Sequence, residues 1–397
     1  MHVEIDTPTL ADIAEKATSF TARGLGSPLW LHAQNGFLTL YANGGDIDFY
    51  AERAAVITAP GTVGIYGNTF APLLKSLGKG PVALHIENNA ANQKNLHITQ
   101  GRKKMRLPCL GDMYKPENIL PPADITPESE TESPYTEAIW TGQDFANAIT
   151  RVLHCTSKDD DGGSLHCVNM QGKEGAIHLA GLNGHSMAHV QYPEPQLAVV
   201  FKESTNLTNK HARHLLRWMP KEDVAISRDK NRLIVRAIDK QEWLLLPLNA
   251  QPFYDYTIQF ARRSICTGEL HMPRTELQAA LARAVLFQDA AVKGIIGAFF
   301  KLDADTVSTE KTSDSGVANE SIPLAKPYTG NCTTIGLAAQ GVQNLLDHFT
   351  SETVSLALSD NPESPVFITG ENDPNYTVIT MPMKVHTGVY YTEGKTA

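Results

Sequence analysis

Long apolar runs are absent from this 397-residue chain: no stretch approaches the ~18 consecutive apolar residues that a membrane-spanning helix needs. The N-terminal segment, Met1 to Leu10, lacks a basic region followed by an apolar core, so no secretory signal is expected and a cytoplasmic location follows. Cysteine is scarce as well. The five thiols, Cys109, Cys155, Cys167, Cys266 and Cys332, are odd in number and never closer than twelve residues, which fits reduced core thiols better than a disulfide framework or a zinc site. Positive charge is in deficit, 34 Lys and Arg against 43 Asp and Glu, for a net charge of −9. That excludes a surface uniformly adapted to nucleic acid but leaves open how charge divides between faces. The common chemical fingerprints are missing too: there is no GxxxxGKS/T loop, no GxGxxG after a strand, no GxSxG elbow and no HExxH, which weighs against the common enzyme classes.

What is present is a globular composition, 42% hydrophobic and 19% charged, arranged in a repeat. Leu10, Ile13, Ala14 and Ala17 mark one face of a helix opened by Thr7-Pro8, a favourable cap and first-turn pair. The spacing returns at Phe145, Ala148, Ile149 and Val152, opened by Thr141 with Asp144 three residues on, and at Leu277, Ala280, Leu281 and Ala284, opened by Pro273. The offsets are 135 and 132 residues. A strand pattern follows each helix, at Gly36 to Tyr41, Ala176 to Ala180 and Ala298 to Leu302. Then come paired leucines on a second short helix, Leu73-Leu74, Leu215-Leu216 and Leu345-Leu346, with a new strand nine residues beyond each first leucine, at Val82, Val224 and Val354. Each unit closes on a strand containing proline, Pro108, Pro247 and Pro382, which lie 35, 32 and 37 residues after the first leucine. The last of these runs, Tyr376 to Val385, reads as an edge strand, because proline is tolerated in a sheet only at an edge, an end or a bulge.

At roughly 100 to 200 residues per domain the length allows two to four domains, and the repeat selects three. Linker-like composition at Pro116 to Tyr135 and Gln251 to Gly268 places the boundaries near 130 and 264. The domains are therefore 1–130, 131–263 and 264–397, the last with a tail from 386 to 397. Helices alternating with several strands in each third indicate an α+β class, three tandem similar domains with antiparallel sheets backed by two helices. The Ser-, Thr-, Asp- and Gly-containing stretch Asp305 to Glu320 reads as a loop, a mobile surface excursion.

Two constellations carry possible chemistry. Lys158 to Gly163, with Asp159, Asp160 and Asp161, together with His166, His178, His185 and His189, could hold a divalent metal for hydrolysis. Three acids followed by two glycines also read as a solvated turn, and the histidine spacings do not converge by themselves. The repeat offers a second pattern: six places after the leading apolar residue of each first helix stands a cation, Lys16, Arg151 and Arg283. At about 100° per residue that position lies well off the apolar stripe. Two places after the first leucine of each pair stand Lys75 and Arg217, but Asp347 in the third copy. A helix side richer in cations than the whole chain suits contact with a phosphate backbone.

The three α+β units, the segment Leu182 to Ala188 (LNGHSMA), the Asp255-Tyr256 pair and the terminal Tyr376 to Val385 with Met381-Pro382-Met383-Lys384 together resemble the bacterial DNA polymerase III β sliding clamp family, over essentially the whole chain to about Val385. The resemblance implies a head-to-tail homodimeric ring, helices lining a channel around double-stranded DNA, antiparallel sheets outside, and no enzymatic activity, cofactor or resident metal. It gives Lys16, Lys75, Arg151, Arg217 and Arg283 a sequence-independent DNA contact and adds Arg23, which matches a family DNA contact. It also implies an apolar groove for short linear peptides of the replicative polymerase, the clamp loader and repair proteins. On the domain-two side that groove would be lined by Leu165, Leu182, Gly184, His185 and Met187, with Tyr254 at the junction. On the domain-three side it would be lined by Val292, Pro362, Ile379, Met381, Pro382 and Met383, where methionines adapt to varied partners. Met105 against Val285 and Leu286 would form the ring interface. The chain departs from the family at Ser186, where a basic residue is usual, at Tyr254, where proline is usual, and at Ala338 and Gly341, which replace larger groove-wall residues. The acidic Asp159 to Gly163 stands where the family can present aromatic DNA contacts, and His386 to Ala397 extends past the usual end. A metal-dependent hydrolase using Asp159 to Asp161 and the neighbouring histidines, or a repeat-built binding protein outside replication, are the alternatives.

Overall fold

The computed structural model describes residues 1–21, 28–88, 93–111, 115–122, 137–158, 163–286, 296–313 and 316–384. Among them the helices are α1 (Thr7–Ser19), α2 (Gly67–Ser76), α3 (Gly142–Leu153), α4 (Pro195–Val200), α5 (Asn209–Trp218), α6 (Thr257–Ala261), α7 (Arg274–Leu286) and α8 (Ala339–Leu346). The expected first helices are α1, α3 and α7, and the leucine pairs lie on α2, α5 and α8. The chain divides into two compact units, Met1–Asn147 with Pro195–Ala250, and Ala148–Glu194 with Gln251 onward. The division falls within α3.

In the first unit, α1 begins one residue earlier than Thr7-Pro8 suggests, because the Asp6 carboxylate accepts from the Thr9 amide at 3.3 Å and serves as the cap. Leu10, Ile13, Ala14 and Ala17 of α1 are buried, as are Phe70 and Leu74 of α2, and the two helices pack together. The Thr141 hydroxyl accepts from the Asp144 amide at 3.1 Å and donates to the Asp144 carboxylate at 2.6 Å, a reciprocal cap that starts α3. One antiparallel sheet runs in the order Val56–Ala59, His2–Asp6, Pro81–Asn88, Lys94–Gln100, Lys103–Pro108. A second runs Ala138–Thr141, Asp223–Arg228, Arg232–Ala237, Glu242–Pro247, Asp48–Ala54, Phe37–Asn43, Pro28–Gln34, Gly61–Tyr66. Its middle joint pairs Trp243 with Tyr50, where Trp30, Tyr41, Tyr50, Trp243 and Leu245 form an aromatic core.

In the second unit, one antiparallel sheet carries Cys167–Lys173, Ala176–Leu182, Ser186–Tyr192, Asp373–Thr380, Val366–Gly370, Thr353–Ser359 and Cys266–Pro273 in that order. A four-stranded sheet runs Gly316–Pro323, Thr306–Ser313, Gly297–Leu302, Thr334–Ala338. Leu277, Ala280, Leu281 and Ala284 of α7 are buried, and α7 packs on α8.

Three expectations change here. The terminal strand is interior, flanked by Ser186–Tyr192 and Val366–Gly370, because it stops at Thr380, two residues before Pro382. Its proline ends the ladder instead of marking an edge. In place of a loop, Asp305 to Glu320 falls on a regular antiparallel hairpin, Thr306–Ser313 with Gly316–Pro323. The Gln251 to Gly268 stretch holds α6, with Tyr256 at its N-cap and Phe260 within it, and both rings, with Phe253, pack on one apolar cluster.

Candidate functional site

The second unit assembles most of the residues expected to line a groove. The hairpin between Ala176–Leu182 and Ser186–Tyr192 turns at Asn183, whose carbonyl side-chain oxygen accepts from the amides of His185 at 3.0 Å and Ser186 at 2.9 Å. Gly184 takes φ +85°, a left-handed conformation that side chains other than glycine rarely adopt. This turn sets Leu182 opposite Met187, and Met187 opposite Ile379 on the terminal strand. The three join Ala180, Tyr256, Ala357 and Phe367 in one apolar cluster, with Leu165, Phe253, Phe260 and Cys266 packed against it.

The terminal strand leaves this cluster in an exposed state. The Met381 amide donates to the His185 carbonyl at 2.8 Å, yet Met381 is 41% exposed. Two residues on, the Met383 amide donates to the Gly336 carbonyl at 2.9 Å. Glycine is required there, since a Cβ at Gly336 would lie 2.8 Å from the Phe299 ring and 2.9 Å from the Met383 carbonyl oxygen. The chain from Met381 to Met383 is thus pinned at both ends by backbone hydrogen bonds while its side chains stay partly open. Gly341 is equally open: a Cβ there would meet only Ala338 Cβ, at 3.6 Å.

Of the remaining expected lining, Tyr254 is 41% exposed and its hydroxyl accepts from Gln259 Nε2 at 2.9 Å. Pro362 is half-buried between the strands Thr353–Ser359 and Val366–Gly370. Val292 lies outside the described residues. Sequence reasoning missed Phe253, Tyr256, Phe260 and Phe367 as parts of this apolar cluster.

The repeated cations have different surroundings. Lys16 Nζ lies 2.7 Å from Asp12 and 3.1 Å from Glu242, whose side chain is 2% exposed and also receives Arg53 and Trp218 Nε1. Burial opposes the charge on Lys16, but its contacts with Asp12 and Glu242 outweigh that and raise its pKa. Arg151 Nη2 lies 2.7 Å from Asp373, and its guanidinium sits 5.1 Å from the Tyr376 ring centre. Burial works against ionising Asp373, yet the donors of Ser351 and Thr350 pull its carboxyl down to about 2. Arg283 pairs with Glu320 and Lys75 with Glu15, while Arg217 is exposed on α5. That helix also carries Lys210, His211, Arg213 and His214 and no acid, a basic run that the leucine-pair register overlooked. Arg23 is outside the described residues.

For the metal alternative, Asp159 to Asp161 lie outside the described residues. His178 Nδ1 and His189 Nε2 are 3.1 Å apart, and His189 packs against Tyr256 and Phe260. Burial first, and then His178 and Lys173, push the His189 pKa down to about 3, so it is neutral at neutral pH. His185 is exposed on its turn, and among the described residues His166, His178, His185 and His189 form no converging set of three ligands. At the expected interface, Met105 is half-buried on Lys103–Pro108, the last strand of its sheet, Val285 is half-buried, and Leu286 is 75% exposed at the end of α7.

No protein-family model and no curated protein sequence matches the chain. Solved structures do. A DNA polymerase sliding clamp from Caulobacter crescentus matches at TM-score 0.80 and 17% identity. A sliding clamp (DNA polymerase III subunit beta) from Pseudomonas aeruginosa bound to griselimycin matches at TM-score 0.79 and 15% identity. A putative DNA polymerase III beta subunit from Eubacterium rectale matches at TM-score 0.80 and 14% identity. Each alignment covers 97% of this chain and 100% of the other. The likeness establishes the α+β fold with its antiparallel sheets along nearly the full length.

Proposed function

We propose that the chain is a DNA sliding clamp, a homodimeric ring that encircles duplex DNA and tethers the replicative polymerase, the clamp loader and other partners without chemistry of its own. The observation that carries this reading is the end-to-end match: 97% of the chain aligns with the whole of several sliding clamps. A partial match would speak for one borrowed domain; a co-extensive one speaks for the whole working unit. In this reading the three repeats, 1–130, 131–263 and 264–397, are the clamp domains. The basic α5 with Arg217, together with Lys75, Arg283, Lys16, Arg151 and Arg23, faces the DNA through weak, sequence-independent phosphate contacts. Met105, Val285 and Leu286 close the ring, and the protein works in the cytoplasm at the nucleoid.

Partner peptides occupy the surface formed by Leu182, Met187, Ile379, Met381 and Met383. Support comes from the open side chains of Met381 to Met383 over a rigid apolar base, the combination a peptide anchor needs. A crystal structure of the Caulobacter crescentus β sliding clamp holds polyethylene glycol at its putative β-motif tethering region. The small Ala338 and Gly341 leave room for a bulkier peptide side chain in this chain. Sedimentation equilibrium at micromolar concentration tests the ring: a dimer is expected, and a monomer with no dimer would overturn the proposal.

A further inference from the structure

The solvent face of the first unit's five-stranded sheet carries a row of histidines that the clamp reading does not use. His2 stands opposite His85, and His85 opposite His97, on three adjacent antiparallel strands. Directly opposed residues share a face, and residues two apart on one strand do as well, so Glu87 joins them. The other face carries the buried Val3, Leu84, Leu96 and Ile98. This sheet therefore points its apolar residues inward and its imidazoles outward.

The geometry points to a divalent transition-metal site formed by His85, Glu87 and His97. His85 Nε2 lies 3.0 Å from Glu87 Oε1, and His97 Nε2 lies 3.5 Å from Glu87 Oε2, so one carboxylate receives both imidazoles. The three donor atoms lie within 4.8 Å of one another, and the two rings stack at 4.9 Å between centres. Tetrahedral zinc holds nitrogen and oxygen ligands at about 2.0–2.2 Å, which sets ligand–ligand edges of about 3.4 Å. The two histidine–carboxylate spacings, 3.0 and 3.5 Å, are already close to those edges, and rotations of the partly exposed side chains draw in the remaining spacing, at most 4.8 Å. Two imidazoles with one carboxylate select zinc or a similar late first-row ion over magnesium or calcium, which take oxygen ligands. The fourth position is open to water or to His2, whose ring centre lies 5.9 Å from that of His85. A bound ion would clasp strands Pro81–Asn88 and Lys94–Gln100 across their pairing register.

The test is a calorimetric titration of the untagged full chain with zinc at neutral pH, alongside the variants His85→Ala, His97→Ala and Glu87→Gln. One equivalent of zinc is expected to bind, unaffected by excess magnesium, with each histidine variant weakening it about tenfold or more. His32→Ala serves as the control, since His32 bonds Thr62 and Gln34 elsewhere. Cobalt bound in place of zinc would give the visible absorption of a tetrahedral ion, lost in His85→Ala. These are partly exposed positions, and circular dichroism verifies that the variants remain folded. Failure of the chain to bind one equivalent, or equal zinc affinity in the folded His85→Ala and His97→Ala variants, would overturn the site. Neither result touches the clamp reading, which rests on the end-to-end match and is tested by the dimer.

Discussion

Replacing Asp373 by asparagine probes the connection between α3 and the terminal strand. The carboxylate is buried and accepts five hydrogen bonds: Oδ2 from the Thr350 and Ser351 amides at 2.8 and 2.9 Å and the Ser351 hydroxyl at 2.7 Å, Oδ1 from the Thr350 hydroxyl at 2.8 Å and Arg151 at 2.7 Å. An asparagine oxygen can keep three of these, but its amide then meets the Arg151 guanidinium donor to donor. A carboxyl held at about 2, against an ordinary 3.8, contributes about 2.5 kcal/mol at neutral pH, at ~1.4 kcal/mol per pH unit. Because the folded-state pKa is the lower one, the contribution is complete above about pH 5, about half lost at pH 3 and gone below pH 2. Leaving Arg151 without its carboxylate adds to the cost, so Asp373→Asn should destabilise by about 2–4 kcal/mol at pH 7. Urea titrations of both proteins at pH 7, 5 and 3, followed by far-ultraviolet circular dichroism and by hydrogen exchange at the Thr350 and Ser351 amides, measure it. The gap between the two proteins should narrow by about 1 kcal/mol between pH 5 and pH 3. Equal stability at pH 7, or a gap independent of pH, would refute the argument.

Gly184→Val forces a β-branched residue to φ +85° and should cost about 1–3 kcal/mol, read as a fall of several degrees in the melting temperature. Met381→Asp puts a charge at a 41%-exposed position beside the apolar cluster; fluorescence anisotropy should show binding of a polymerase-derived clamp-binding peptide weakened at least about tenfold, with the melting temperature unchanged. Arg151→Ala should destabilise by about 3 kcal/mol by stripping buried Asp373 of its cation, whereas Arg217→Ala, at an exposed site, should leave urea stability within about 0.5 kcal/mol and shorten retention on circular DNA at moderate salt.

Periodicity made the helices legible. Leu10, Ile13, Ala14 and Ala17, and their counterparts in the other copies, are buried as a 3.6-residue stripe requires. The candidate site's apolar cluster was legible only in part, because Met187 and Ile379 come together through cross-strand register between segments almost two hundred residues apart, and no local pattern encodes that pairing. Proline misled in the other direction. Pro108 and Pro247 end their strands, and Pro382 stands beyond one, so all three mark where a ladder stops. The sequence signal was termination, and an edge is only one way to terminate.

The cation register shows how a repeat can conserve geometry while dividing its use. Lys16 on the first repeat's helix meets Glu242, the first residue of the second repeat's closing strand. Arg151 on the second repeat's helix meets Asp373, the first residue of the third repeat's closing strand. Each link carries a cation from one repeat to a buried carboxylate of the next, and in each the carboxylate has further donors that fix it. Continuing the rule, Arg283 on the third helix would seek the first residue of the first repeat's closing strand in another copy. That residue is Lys103, and Arg283 instead pairs with Glu320 of its own unit. The links along the chain therefore rest on buried ion pairs, while the proposed junction between copies has a like-charge position in their place and depends on apolar contacts such as Met105 and Leu286. A ring of the kind proposed would open most readily where two chains meet, because a buried pair that lost one partner would leave an uncompensated charge, whereas apolar surfaces separate without that penalty.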